Sequence, residues 1–211
     1  MLKINRTAIE NIISLEPWKD NLVIYCQQCA NGLREWQSSG NLYTFLKIEL
    51  ANLTQGHCSF CDGYPFSMSK QTIEHYFPKA QFKEKTYEWS NLFICCDKCQ
   101  SNANRINPFQ YTLKPDDEDY SFDEYFWFNA ADGKVNVLEN IDEAKQKNAS
   151  NFLIRYGINS NPEVLSARQR LYQDLIVLIK NNPDRDRNLE PNRFIFDSVV
   201  EFINYKENNL L

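Results

Sequence analysis

Histidine is nearly missing from this chain: 211 residues contain only His57 and His75, so any imidazole chemistry falls to one of these two. Long apolar runs are also missing. The start, Met1-Leu2-Lys3-Ile4-Asn5-Arg6, lacks the apolar stretch of a signal peptide, and no segment approaches a membrane span. The expectation is a cytoplasmic chain with no membrane partner. There is no Gly- or Ser-rich tract, internal repeat or low-complexity segment. With 43% hydrophobic and 14% aromatic residues, the sequence reads as globular throughout, as one domain or two small ones. Positive charge is short as well. Against 28 Asp+Glu stand 23 Lys+Arg, for a formal net charge of −5. Affinity for a phosphate backbone comes largely from cationic contacts, so this balance speaks against a nucleic-acid binder acting alone. Local basic patches or a partner subunit would have to supply that surface.

What is present is cysteine. Seven is an odd number, and four of them form the Cys-x-x-Cys pairs Cys58/Cys61 and Cys96/Cys99. A reducing compartment with zinc-bound thiolates fits this usage better than a disulfide framework. Each pair can bring two sulfurs to one tetrahedral zinc at ~2.3 Å. The gap between the pairs exceeds the usual zinc-ribbon spacing, so a small structure must be inserted between them. Cys26/Cys29 reads differently. With Leu22, Leu33 and Trp36 these two recur at spacings of four, three, four and three, the apolar face of a helix ended by Gly40-Asn41. Cys95 reads as a strand residue beside the site. His57 could replace a cysteine as ligand, but an idle role is favoured.

Around these pairs the patterning is mostly helical. Phe45, Leu46, Leu50 and Leu53 make a second helix that stops near Gly56. Thr72–Tyr76 and Leu92–Cys95 are β-like, and Asp97–Arg105 has helical spacing closed by Pro108. Asp116–Asp119 reads as a solvated acidic loop. Residues 125–138 read as a β-hairpin turning at Ala131-Asp132-Gly133. Leu171, Leu175, Leu178 and Ile179 form a helical stripe, Asn182-Pro183-Asp184 breaks it, and Phe194–Tyr205 makes a last helix. The fold class expected is α+β, with a helical segment over 1–55, a zinc-stapled core over 56–110, and a hairpin and helical region over 111–211 packed on that core.

Between the cysteine pairs lies Ile73-Glu74-His75-Tyr76-Phe77-Pro78-Lys79, followed by Trp89-Ser90-Asn91-Leu92 and Ile94-Cys95-Cys96-Asp97-Lys98-Cys99. These runs resemble the two halves of an HNH endonuclease motif. Their flanks are similar to the HNH subunit of Septu and retron-linked anti-phage systems, as is the run Phe152–Asn159 with Leu165 and Arg168. The resemblance implies a ββα-metal fold that hydrolyses nucleic-acid phosphodiester bonds, DNA first among them. His75 would be the general base, Glu74 a ligand of a catalytic Mg²⁺ or Mn²⁺, and Asn91 the brace of the loop between the strands. Gln100 or Asn104 would complete the ion's protein ligands. Gln100 stands where the family usually carries Asn or His, Asn104 where some members add a further ligand one helical turn on, and Ala103 replaces a frequent basic residue, leaving Lys79 or Arg105 for phosphate contact. The Glu74, His75 and Asn91 set would face Gln100 and Asn104. Zinc on Cys58, Cys61, Cys96 and Cys99 would be structural. The resemblance further implies a partner ATPase of the ABC/SMC-like class. Two other readings stay open: a zinc-stabilised adaptor whose nuclease site has decayed, and a stand-alone restriction-type nuclease.

Overall fold

The computed structural model describes residues 2–12, 18–64, 70–105 and 109–209. At its centre are two short strands rich in apolar and β-branched residues. Strand β1 (Gln71–His75) pairs antiparallel with β2 (Leu92–Cys96), with Ile73 opposite Ile94 and His75 opposite Leu92. Helix α3 (Asp97–Ala103) leaves directly from β2, because Cys96 serves as its N-cap: the Cys96 sulfur accepts from the Cys99 N–H at 3.4 Å. The stop expected at Pro108 lies outside the described residues.

Both faces of this strand pair are covered. Ile73, Leu92 and Ile94 pack with Leu46 and Leu50 of helix α2 (Gly40–Leu53) and with Trp89. Phe93 and Cys95 turn the other way, into the main core. That core also holds Ile4 and the hairpin of β3 (Phe126–Asn129) and β4 (Lys134–Val137). It is completed by helices α4 (Glu143–Arg155), α5 (Pro162–Asn181) and α6 (Arg193–Asn209). It therefore crosses both segment boundaries expected from the sequence. The architecture is mixed α+β, and among the described residues no helix is long and apolar enough to cross a membrane.

Three details differ from the sequence expectation. Helix α1 covers only Lys19–Ala30, so Leu33 and Trp36 lie beyond it. Gly32, at φ +70°, closes it: the Gly32 N–H donates to Cys29 O and the Leu33 N–H to Gln28 O, the paired bonds of a left-handed C-terminal cap. Gly40 does not end that helix but begins α2. Third, the acidic loop is not simply solvated, because Asp116 pairs with both Arg6 and Lys114. Arg6 also donates to Trp89 O and Leu92 O, strapping the N-terminal segment across β2.

The hairpin and the C-terminal breaks follow their sequence signals. A Cβ on Gly133 would meet Leu165 O at 2.2 Å, so only glycine allows the hairpin turn to sit on α5. Asn159 locks the hairpin's inner edge by accepting from Val135 N and donating to Val135 O.

Candidate metal centre and hydrolytic site

The first cysteine pair sits in a tight turn. Cys58 N donates to Gly63 O, Asp62 N to Cys58 O, and Asp62 adopts φ +56°. The second pair straddles the β2–α3 junction, and the turn is docked on β2 by Ser59 N donating to Ile94 O. All four sulfurs lie within 4.8 Å of one another, with Cys61 and Cys96 3.9 Å apart. A tetrahedral zinc with ~2.3 Å bonds needs sulfur–sulfur edges of ~3.8 Å, so the four can hold one zinc ion. Burial pushes the Cys58 thiol well above its ordinary range, whereas bonds from Cys58, Cys96 and Cys99 hold Cys61 well below it. Crowding four thiols out of water is costly, and a dication that replaces their protons resolves it. Cys26, Cys29 and Cys95 stand outside this cluster. His57 is fully buried with each ring nitrogen against a backbone carbonyl, Asp62 O at 2.9 Å and Asn188 O at 3.0 Å, so neither nitrogen is open to a metal.

Alternation along β1 separates the two chemistry-bearing residues. Glu74 turns toward α3 and the end of α4. There it meets the Gln100 amide, and Arg155 Nη2 lies 3.8 Å from its Oε1. His75 turns toward the α1–α2 side. Trp36 packs on its ring at 4.6 Å between centroids, and Nε2 lies 3.0 Å from Thr86 O. Both residues are 5% exposed. A carbonyl can only accept, so Nε2 carries the proton and Nδ1 of the neutral ring keeps its lone pair.

Asn91 is 1% exposed and spends all its side-chain bonding on the segment after β1. Its Oδ1 accepts from Phe77 N at 2.6 Å, and Nδ2 donates to Phe77 O at 3.1 Å and Lys85 O at 2.8 Å. That segment carries Thr86, the residue that fixes the His75 tautomer. Asn91→Ala strands the Phe77 N–H and the Lys85 carbonyl and should cost about 2–4 kcal/mol, measurable by urea denaturation.

The expected face-to-face grouping is only partly met. Glu74 and Gln100 come together, whereas His75 lies on the other side of β1 and Asn91 beyond its end, bonded to the Phe77 and Lys85 backbone. Gln100 Nε2 donates to Ile73 O at 2.8 Å, and the amide also bonds the Glu74 carboxylate. Asn104 is exposed at the C-cap of α3. Lys79 and Arg105 are exposed as well, and of the two Lys79 is near enough for its charge to act on both Glu74 and His75.

Arg155 falls inside the run Phe152–Asn159, but nothing in that run assigns it a role. It is 3% exposed, donates to Tyr76 O at 2.7 Å, and stacks on Tyr76, Phe109 and Tyr156. Its Nη1 is buried without a partner. One arginine near the end of an amphipathic helix looks like any surface charge; only the fold carries it across 79 residues of sequence to the end of β1.

Burial pushes the Glu74 carboxyl up to about 7 against the pull of Arg155 and Gln100, and pushes His75 down to about 4. The two act oppositely on stability. Folded Glu74 keeps a proton that the unfolded chain sheds near pH 4.5, so its contribution favours folding at low pH and is lost as pH rises through 7. Unfolded His75 takes up a proton below pH 6.5 that the folded ring refuses until about 4, so its contribution falls on acidification through that window. Glu74→Gln removes only the first effect. In magnesium-free buffer at pH 8 it should stabilise the fold by about 2–3 kcal/mol. The gain should fade at pH 5 and shrink when Mg²⁺ is added, as read by urea titration in each buffer.

Compared with known proteins, the chain matches no family model, and no curated protein matches it.

Proposed function

We propose that this chain is an HNH-type, metal-dependent endonuclease, a zinc-stapled ββα unit that hydrolyses nucleic-acid phosphodiester bonds. Its setting would be the bacterial cytoplasm, as the nuclease subunit of an anti-phage pair with an ABC/SMC-like ATPase. The observation that carries the reading is a tautomer-fixed His75 at the end of β1, with Asn91 clamping the segment that fixes it. The strand–strand–helix order and the sulfur cluster that ties its two ends support it further.

In this mechanism His75 Nδ1 takes a proton from water as the water oxygen attacks phosphorus and the bond to the leaving sugar oxygen breaks, that oxygen taking its proton from solvent. Burial keeps the ring neutral near pH 7, and the negative charge of a bound phosphate raises its basicity from that low start. Glu74, oriented by Gln100 and Arg155, would hold a hydrated Mg²⁺ or Mn²⁺; one carboxylate with an amide neighbour suits an ion that keeps most of its waters and shares substrate oxygens. When bound, that ion offsets charge developing on the phosphate and the leaving oxygen. Glu74 and His75 point to opposite faces, so the scissile phosphate must lie at the end of β1, where both can reach it.

One observation favours a zinc-stabilised adaptor instead: Arg155 already places a cation 3.8 Å from Glu74. A nicking assay on plasmid DNA and structured RNA, with Mg²⁺ or Mn²⁺ and with the chain alone or with its ATPase partner, separates the two. Metal-dependent strand breaks support the hydrolase. Intact substrates under every condition leave the adaptor.

A further inference from the structure

The segment after β1 carries more than the brace for His75. Phe77, Phe82, Phe109 and Tyr111 form a packed aromatic group, with Phe77 5.1 Å from Phe82, 5.5 Å from Phe109 and 6.0 Å from Tyr111. Tyr111 rests on Phe109 at 5.2 Å and is 63% exposed. The group is continuous with the candidate site: Phe77 is held at N–H and carbonyl by Asn91, and Phe109 lies under the Arg155 guanidinium at 4.9 Å. Three lysines border it in a chain of net charge −5. Lys85 sits over the Phe77 ring at 4.9 Å and pairs with Glu88. Lys79 and Lys83 are exposed, and neither is in an ion pair among the described residues. Along the sequence from Lys79 to Lys85, Glu84 is the only acid.

We infer that this surface is a stacking platform for unpaired nucleotides, so that the chain binds single-stranded DNA or RNA, or the unpaired loops of a structured RNA, in preference to a duplex. The inference rests on the reading of the neighbouring site as a phosphodiester hydrolase and names the substrate class of that site. Base faces are free to stack on aromatic rings only where they are unpaired, and flanking lysines meet the phosphates between them. An apolar peptide would use the same rings but gain little from Lys79 and Lys83, so charge complementarity selects nucleic acid. A local basic rim also explains how an acidic chain could hold a polyanion.

The test is fluorescence anisotropy with the His75→Gln chain in zinc-containing, magnesium-free buffer, using a labelled single strand of ~20 nucleotides and the same sequence as a duplex. The single strand should bind at least about tenfold more tightly. Tyr111→Ala should weaken that binding roughly tenfold and Tyr111→Phe should preserve it, because a ring face and not a hydroxyl is used. Lys79→Ala and Lys83→Ala should each lower the salt slope by about 0.7. Equal affinity for the two forms, no binding of either, or a Tyr111→Leu chain that binds as wild type would overturn the platform. So would self-association abolished by Tyr111→Ala, which would assign the rings to a second copy of the chain. Platform and hydrolase fail separately. A Tyr111-dependent single-strand complex beside a wild-type chain that leaves the strand uncut whatever the metal sinks only the hydrolase, and wild-type affinity in Tyr111→Ala beside full cleavage by the wild type sinks only the platform.

Discussion

Cys58→Ser is expected to release the metal and melt the middle of the chain. The purified wild type should carry about one zinc per chain by elemental analysis, and the variant should carry little. Cys58 is 1% exposed and touches both halves of the staple, accepting from the Cys96 N–H at 3.4 Å while its turn is docked on β2. Zinc sites of this kind contribute on the order of 10 kcal/mol, comparable with the whole stability of an ordinary domain. The loss should reach beyond the turn. Asp62, inside it, accepts from Arg193 at the start of α6, and Asn192 donates to Cys61 O, so the staple also anchors the last helix. Circular dichroism should show a midpoint about 20 °C or more lower, or no cooperative transition. Cys26→Ser provides the control. That thiol lies on α1 outside the cluster, so the variant should keep its zinc. A wild-type midpoint and full zinc content in Cys58→Ser would refute the staple.

The sulfur cluster was legible because its information is local: two Cys-x-x-Cys spacings, each confined to four residues. The β1–β2 pair and α3 were legible for the same reason, since short β-branched and aromatic runs abut the knuckles. Failure came where two local signals competed. Leu33 and Trp36 continue the spacing of α1, but Asn31-Gly32 offers the left-handed cap, and the cap prevailed. That matters for the site, because a loop and not a helix delivers Trp36 to the edge of His75. The opposite orientation of Glu74 and His75 was available from the period-two rule of strands once β1 was assigned. Arg155 was not available. Nothing in its neighbourhood on α4 distinguishes it from a solvated arginine, and its burial against Glu74 and Tyr76 exists only after the C-terminal region folds onto the strand pair. The same holds for the aromatic group, whose members come from residues 77–82 and 109–111.

His75→Gln is expected to abolish hydrolysis while leaving the fold nearly intact, and it is the sharper of two substitutions at this position. Alanine removes a buried ring from Trp36 and leaves Thr86 O without its donor, costing about 1–3 kcal/mol, so lost activity would have two explanations. Glutamine can keep the donor to Thr86 O through its amide and fills much of the ring's volume, yet it offers no nitrogen lone pair to take a proton. A positioned base contributes about 10²–10⁴-fold, so the cleavage rate should fall by that factor at a denaturation midpoint within a few degrees of wild type. Single-turnover measurement, with the ATPase partner present if the chain alone is silent, isolates the chemical step from release. The location of the ring makes the outcome informative. On the α1–α2 side of β1, His75 packs against Trp36 and bonds Thr86 O, away from Gln100 and Arg155, so a loss in His75→Gln is not a side effect of disturbing those two. If Glu74→Gln also silences the enzyme while both variants remain folded, the reaction draws on both faces of one strand, which confines the substrate to its end. If His75→Gln cuts at the wild-type rate, the imidazole is a packing element for Trp36 and the base lies elsewhere.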